Sequence, residues 1–386
     1  MPVINRIAGG TDAMIEWRRD FHRHPELAYK EHRTAKRVAE LLRSFGVDEV
    51  VEGIGGTGVV GRIRNGSGPS VGLRADMDAL PIHEQNSCEH ASSADGVMHA
   101  CGHDGHTTML LGAAQYLSET RNFEGDVVLV FQPAEEGFAG AKAMLDDGLF
   151  ERFPVRNIFG MHNMPGLEQG KLRVAPGPIM AAADNFKVTV QGKGAHGAMP
   201  HQSVDPIIAG AAIVQAVQTL VSRTSDPKNT LVISVTQFHA GDAYNVIPDS
   251  AELCGTIRYF SPETGEMVRK RFPEVCETVA RGLGATADVD YQRGYPPTVN
   301  HAEETAFAGR IASEITGEAV TTEQMQVMGS EDFSFFLLER PGAYAWIGNG
   351  DSASLHNPSY DFDDDNLAIG ASFLARIAED ALRATD

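Results

Sequence analysis

Three apolar segments in succession each run into a side chain that can bind a cation or move a proton, and that recurrence restricts the chain to a fold that gathers strand ends. Val71 to Ala75 leads into Asp76 and Asp78, Val127 to Phe131 into Glu135 and Glu136, and Ile158 to Met161 into His162. Short buried runs of this kind are strands of open α/β sheets, whose sites lie beyond the carboxyl ends of the strands. Asp76 and Asp78 are two residues apart and leave an extended strand on the same face. Two like charges so placed are costly, which implies a cation or a histidine nearby. Glu135 and Glu136 are neighbours and diverge, so that one is available to a metal while the other faces a bound water.

Between the first two segments, Met98 to His106 reads Met-His-Ala-Cys-Gly-His-Asp-Gly-His, which places three imidazoles, a thiol and a carboxylate in nine residues. Cys101 and His103 are two apart and, in an extended segment, reach one small ion from the same side. Gly102 and Gly105 permit a tight turn, and Met109, Leu110, Leu111, Ala113, Ala114 and Leu117 predict a helix from Thr107 onward. Ligands at a helix entrance gain from its free N–H groups. A surface histidine cluster beside a buried free thiol is the plainer alternative; the donor set favours metal.

The 386 residues suffice for two domains, and 42% apolar content marks a globular chain. A net charge of −20 argues against nucleic acid or an anionic membrane as partner. Four scattered cysteines fit no disulfide framework and suggest a reducing, cytoplasmic setting. The N-terminus offers no apolar targeting segment, and no run approaches the roughly 20 uninterrupted apolar residues of a membrane span.

Residues 11 to 46 read as one or two helices, with His22 and His24 on a structural corner before Pro25. Gly53-Ile54-Gly55-Gly56-Thr57-Gly58 matches a dinucleotide fingerprint, but a strand pattern follows where a helix is needed, so a hairpin is predicted. Gly68-Pro69-Ser70-Val71-Gly72 lacks the strand before and the helix after that a nucleophile elbow requires. His83-Glu84-Gln85-Asn86-Ser87 fails the zincin pattern. From Ala183 to Tyr295 the predicted order is β-α-β-β-α-β, with strands at 186–191, 231–238, 252–260 and 287–291 and helices at 204–221 and 262–283. This is the ferredoxin-like arrangement. After it come a helix over 303–316, a strand over 343–347 and a closing helix over 367–384.

Taken together, Arg74 to Pro81, His99 to His106, Gln132 to Gly137, Gly160 to Asn163, Gly192 to His201, Asn245 to Asp249, Gly255 to Arg258, Gly329 to Phe333 and Leu355 to Pro358 resemble the M20 metallopeptidase family. Within it the chain is similar to the branch of hippurate hydrolases, N-acyl-amino-acid amidohydrolases and auxin-conjugate hydrolases. The resemblance implies an α/β catalytic domain with a central mixed sheet flanked by helices (1–183 and 297–386) and an inserted ferredoxin-like lid (184–296). It implies two divalent ions, Zn²⁺ or Mn²⁺ with Co²⁺ or Ni²⁺ as alternatives, held by Cys101, His103, Glu136, His162 and His356. Cys101 would bridge the ions. Glu135 would be the general base. The wider family has a histidine ligand where Asp76 stands, so Asp76 is not counted, and Asp78 is expected to orient a ligand. The lid would pair two subunits in a homodimer or a dimer-based tetramer. There His196 would assist at the oxyanion, and Asn245 and Arg258 would bind substrate, Arg258 as a carboxylate clamp. The expected reaction is hydrolysis of the amide of an N-acyl amino acid. A dipeptidase or carboxypeptidase of the same family is the alternative, and a metal-dependent binding protein without catalysis is the more distant one.

Overall fold

The computed structural model describes residues 3–320 and 325–383, so Ala384 of the predicted closing helix lies outside the described residues. The chain divides into two compact units, Met1–Gly177 with Val299–Met325 and Asp332–Asp386, and Pro178–Thr298 with Gln326–Glu331. The sequence reading cut the chain at 183/184 and 296/297. The segment 326–331 joins the second unit because Ala181 N–H donates to the carbonyls of Val327 and Gly329 (3.2 and 2.9 Å), a pairing with no sequence signature.

In chain order the strands of the two largest sheets begin with β1 (Glu49–Ile54), β2 (Gly58–Asn65), β3 (Ser70–Asp76), β4 (Gly125–Gln132), β5 (Asn157–Met164) and β6 (Leu172–Arg173). Then β7 (Ala182–Gln191), β8 (Leu231–His239), β9 (Ser250–Tyr259) and β10 (Thr286–Tyr295) belong to the second unit, and β11 (Gly342–Gly348) returns to the first. The first unit's sheet has the order β1-β2-β4-β3-β5-β11-β6. Its centre, β4-β3-β5-β11, is parallel, and the flanking pairs are antiparallel. A mixed sheet follows from the sequence: β3, β4 and β5 are apolar on both faces, as strands covered by helices must be. The hairpin joining β1 to β2 is the glycine-rich stretch Gly53–Gly58. Gly53, Gly55 and Gly56 all have positive φ there (84°, 65° and 105°), so the glycines turn a chain rather than cradle a phosphate.

Helices α1 (Thr11–Arg23), α2 (His32–Ser44) and α3 (His103–Thr120) precede β4. α3 begins at His103, four residues earlier than the pattern predicted, and is buried on nearly every side from His103 to Ala114. The all-round burial explains why amphipathic periodicity misplaced its start. Gly102, at φ 87°, is its N-cap, so Cys101 and His103 do not share an extended segment as expected; a left-handed turn separates them. Gly105 lies inside the helix, and its part is close approach: a Cβ there would meet the buried Phe362 ring at 2.5 Å.

In the second unit α4 (Pro206–Thr219) and α5 (Pro262–Gly282) cover one face of the antiparallel sheet β8-β9-β7-β10. The order β7-α4-β8-β9-α5-β10 is the ferredoxin-like one. With its continuation to Thr224, α4 is long and apolar enough by length and composition to cross a membrane (mean hydropathy 1.3), although Gln215 and Gln218 interrupt the apolar run. Ala209, Ile213 and Val217 pack on the sheet, while Ile207 and Ile208 are exposed. α6 (Ala302–Thr316) and α7 (Asn366–Ala381) complete the first unit.

Replacing Gly105 with Ala should lower stability by about 1–3 kcal/mol, because overpacking against a rigid ring outweighs the gain in helix propensity. The measurement is the shift in the chemical-unfolding midpoint; an unchanged or raised midpoint would contradict the close-approach reading.

Candidate metal centre

The central strands deposit their ends at one place. β4 and β5 flank β3 on opposite sides, so the connections leaving them diverge and open a crevice at the carboxyl edge. Asp76 closes β3, Glu135 and Glu136 follow β4 after Pro133 and Ala134, and His162 lies near the end of β5. His103 opens α3. His356 arrives on a loop after β11, with φ 63° and its N–H donating to the carbonyl of Ala100 (2.8 Å).

The ligand atoms of Cys101, His103 and His162 lie within 4.8 Å of one another, and so do those of Cys101, Glu136 and His356. Two triads thus share one thiol. The Cys101 sulfur is 3.4 Å from His162 Nε2, and His356 Nε2 is 3.2 Å from Glu136 Oε1. His103 donates Nδ1–H to the carbonyl (2.9 Å) and carboxylate (3.2 Å) of Asp78, which leaves Nε2 buried and without a hydrogen-bond partner. His162 donates Nδ1–H to the carbonyl of Asn163 (2.6 Å), turning its Nε2 toward the sulfur. Imidazoles anchored through one nitrogen with the other aimed into a cluster are arranged as metal ligands are. Glu135 stands beside them, with Oε2 4.0 Å from His103 Nε2 and Oε1 accepting the Asp332 N–H at 3.4 Å.

Electrostatics points the same way. Burial, then the carboxylates of Glu136, Glu135 and Asp76, push the Cys101 thiol well above its ordinary range. Burial, reinforced by His106, pushes His162 well down, into its neutral, ligating form. Burial opposes charge on His103, yet Asp76 and Asp78 outweigh it and raise that group to about 10. Carboxylates massed about a thiol and an imidazole favour positive charge, and a divalent cation supplies it without protonating the donors.

Asp76 is engaged by His106 Nδ1–H (2.7 Å) and Arg74 (2.6 Å), and its ligand atom also lies within 4.8 Å of those of His103 and His106. A further group, Cys88, His90 and Asp361, is already served by a fixed cation: Arg18 lies 2.8 Å from Asp361 and 3.4 Å from His90 Nε2. His196, Asn245 and Arg258 belong to the second unit. His196 and Asn245 are neighbours there, the Gly197 N–H donating to the Asn245 carbonyl (2.7 Å), and both are exposed. Arg258, half-buried in β9, donates to Ser330 Oγ (3.2 Å).

Several supports had no assigned part in the sequence reading. Asn163 donates to the Cys101 carbonyl (2.6 Å) and accepts from the Tyr360 hydroxyl (2.6 Å). Asp332 accepts from Gln132 (2.7 Å), Arg74 (3.2 Å) and the Ala141 N–H (2.9 Å), which ties the end of β4 to the helix after it. The signal was a charged or amide residue inside an otherwise apolar strand, Arg74 in β3 and Gln132 in β4. Beneath α3, His22 is fully buried, with Nδ1 2.8 Å from Asp104 and Nε2 3.2 Å from Glu84. Arg18 reaches Asp104 as well (3.5 Å).

A model of peptidase family M20/M25/M40 matches residues 72–380. A protein named hippurate hydrolase from Campylobacter jejuni is 43% identical over 94% of this chain and 94% of its own length. An IAA-amino acid hydrolase of Arabidopsis thaliana is 41% identical over 95% of this chain and 86% of its own. Among solved structures, a Bacillus subtilis protein described as a dinuclear metal binding peptidase from the M20 family superposes with a TM-score of 0.86, at 34% identity, over 98% of this chain and 99% of that one.

The His22 and Asp104 pair predicts a pH dependence of stability. Burial alone would depress His22, but Asp104 outweighs it and raises the group to about 9, above its unfolded value near 6.5. The stabilisation is therefore complete below about pH 6.5 and fades as pH rises through 9. His22→Gln should unfold at a clearly lower midpoint than the parent at pH 6, and the gap should close toward pH 10; a gap constant with pH would refute the charged pair.

Proposed function

The chain belongs to peptidase family M20/M25/M40, and from that premise we propose that it hydrolyses the amide bond of N-acyl amino acids, releasing a carboxylic acid and a free amino acid. The observation that carries the reading is the pair of ligand triads sharing Cys101, with Glu135 outside both of them and grouped with His103 and Glu136. The similarity to proteins named for cleaving acylated glycine and indole-acetyl amino acids supports the substrate class.

Cys101, His103, Glu136, His162 and His356 would hold two divalent ions, with the thiol between them. Such ions lower the pKa of water and polarise a carbonyl. Thiolate, imidazole and carboxylate together suit Zn²⁺ or Mn²⁺, and equally Co²⁺ or Ni²⁺. Glu135 takes a proton from the attacking water and returns it to the departing amine. Asp78 fixes the His103 tautomer through Nδ1. His196 is assigned to the developing oxyanion, and Asn245 and Arg258 to the substrate, where the guanidinium matches a carboxylate in two-point geometry. A homodimer formed through the second unit completes the reading. The four free cysteines support a reducing, cytoplasmic setting.

N-Benzoylglycine offered to the purified protein should yield free glycine, with activity lost on chelation and restored by Mn²⁺ or Zn²⁺. Absence of turnover with any ion, alongside turnover of dipeptides, would move the assignment to a dipeptidase. Glu135→Gln should keep its metal and lose at least about 100-fold in kcat. Near-parental turnover would refute the base. Cys101→Ala should lose bound metal, and unchanged metal content by elemental analysis would rule out the thiolate ligand.

A further inference from the structure

The turn bearing Glu135 and Glu136 does not adopt a conformation its own residues favour. Ala134 has φ 54° and ψ 43°, Gly137 φ 84° and Ala139 φ 55°, and Glu136 departs from helical geometry at ψ 72°. Each non-glycine residue held in the left-handed region costs about 1–2 kcal/mol, so groups outside the turn must hold it.

One short segment between α1 and α2 grips it at both ends. Glu31 is wholly buried, and its Oε1 accepts the Ala134 N–H at 2.9 Å. Its Oε2 accepts the Thr57 hydroxyl at 2.5 Å. Thr57 comes from the glycine-rich hairpin turn, the stretch that resembled a nucleotide fingerprint. Two residues before Glu31, the Tyr29 hydroxyl donates to the Phe138 carbonyl at 2.9 Å, and the two rings meet edge to face with centroids 6.5 Å apart. Tyr29 itself sits at φ 58°. The Glu31 side chain does nothing for its own helix: it makes no capping bond, and α2 is started by the Glu31 carbonyl, which accepts from Ala35 N–H (2.8 Å). Burying a carboxylate is costly, and here it is spent on the backbone beside Glu135.

We propose that Glu31 and Tyr29 are positioning residues that bracket the turn from Ala134 to Phe138 and so fix the divergence by which Glu136 faces the ligand cluster and Glu135 the reacting water. The inference rests on the assignments given to those two glutamates above. It is tested in the full chain with Glu31→Ala, Glu31→Gln and Tyr29→Phe, measuring Mn²⁺ affinity without substrate and kcat and KM on N-benzoylglycine at saturating Mn²⁺. Glu31→Ala should weaken Mn²⁺ binding and lower kcat by about 10-fold or more each, with KM nearly constant. Glu31→Gln retains a carbonyl that accepts the Ala134 N–H and should recover most of both losses, which a merely structural loss would not do. Tyr29→Phe, which removes one exposed hydroxyl, should shift both in the same direction by about threefold, and it decides the matter if Glu31→Ala does not fold. Parental Mn²⁺ affinity and kcat in Glu31→Ala or Tyr29→Phe, or a Gln variant as impaired as the Ala variant, would overturn the bracket. If the parent hydrolyses no N-acyl amino acid but the variants still lose Mn²⁺ affinity, the substrate assignment fails and the bracket stands.

Discussion

Negative charge buried at the carboxyl edge of the central sheet is the condition around which the first unit is built. Asp76, Asp78, Asp104, Glu31, Glu135 and Asp332 are all removed from water, and a buried carboxylate is tolerable only where donors or cations meet it. Arg74 answers Asp76 and Asp332, His103 and the Glu136 N–H answer Asp78, His22 and Arg18 answer Asp104, and Thr57 with the Ala134 N–H answers Glu31. Those partners come from strands, helix starts and turns far apart in sequence. Folding the unit therefore amounts to assembling these pairings, and at Cys101, His103 and Glu136 the donors converge with His103 Nε2 and Glu136 Oε1 buried and without a hydrogen-bond partner.

The pairings also divide by what they hold. Asp78 and the Asn163 carbonyl act on His103 and His162 and settle which ring nitrogen of each is left to face inward, while the Asn163 amide holds the Cys101 backbone. Asp332 and Glu31 act on the backbone around Glu135, where the left-handed Ala134 makes outside support necessary. Catalytic geometry in this reading is a property of the second layer as much as of the ligands.

Sequence reasoning reached the parts of this that local pattern encodes. Strands ending in carboxylates or histidine, the Cys101 and His103 pair, the hairpin at Gly53–Gly58 and the β-α-β-β-α-β order of the second unit all follow from periodicity, turn chemistry and donor type. Periodicity places the start of α3 too late because a helix buried on all sides has no polar face to mark its period, and the part of Gly105 is not legible locally because its contact with Phe362 is more than 250 residues distant in sequence. Glu31 carries no local mark of burial, since it stands directly before the basic helix start His32-Arg33. Its burial is decided by Thr57 and Ala134, neither of which any window around residue 31 contains. His22 and His24 before Pro25 read locally as a structural corner, whereas the hold on His22 by Asp104 and Glu84 depends on residues far along the chain.

The chain order of the cluster has a consequence for biosynthesis. The first unit is interrupted after β6, and most of the second unit, Pro178–Thr298, is made before the first resumes. His356, β11 and α7 leave the ribosome only after that. The nascent first unit, its carboxylates and thiol already synthesised, must wait with an incomplete sheet while a whole compact unit folds ahead of the missing strand. Full assembly of the two triads thus comes after synthesis of the second unit, and the interval before it is when the exposed edge of β5 is open to wrong partners.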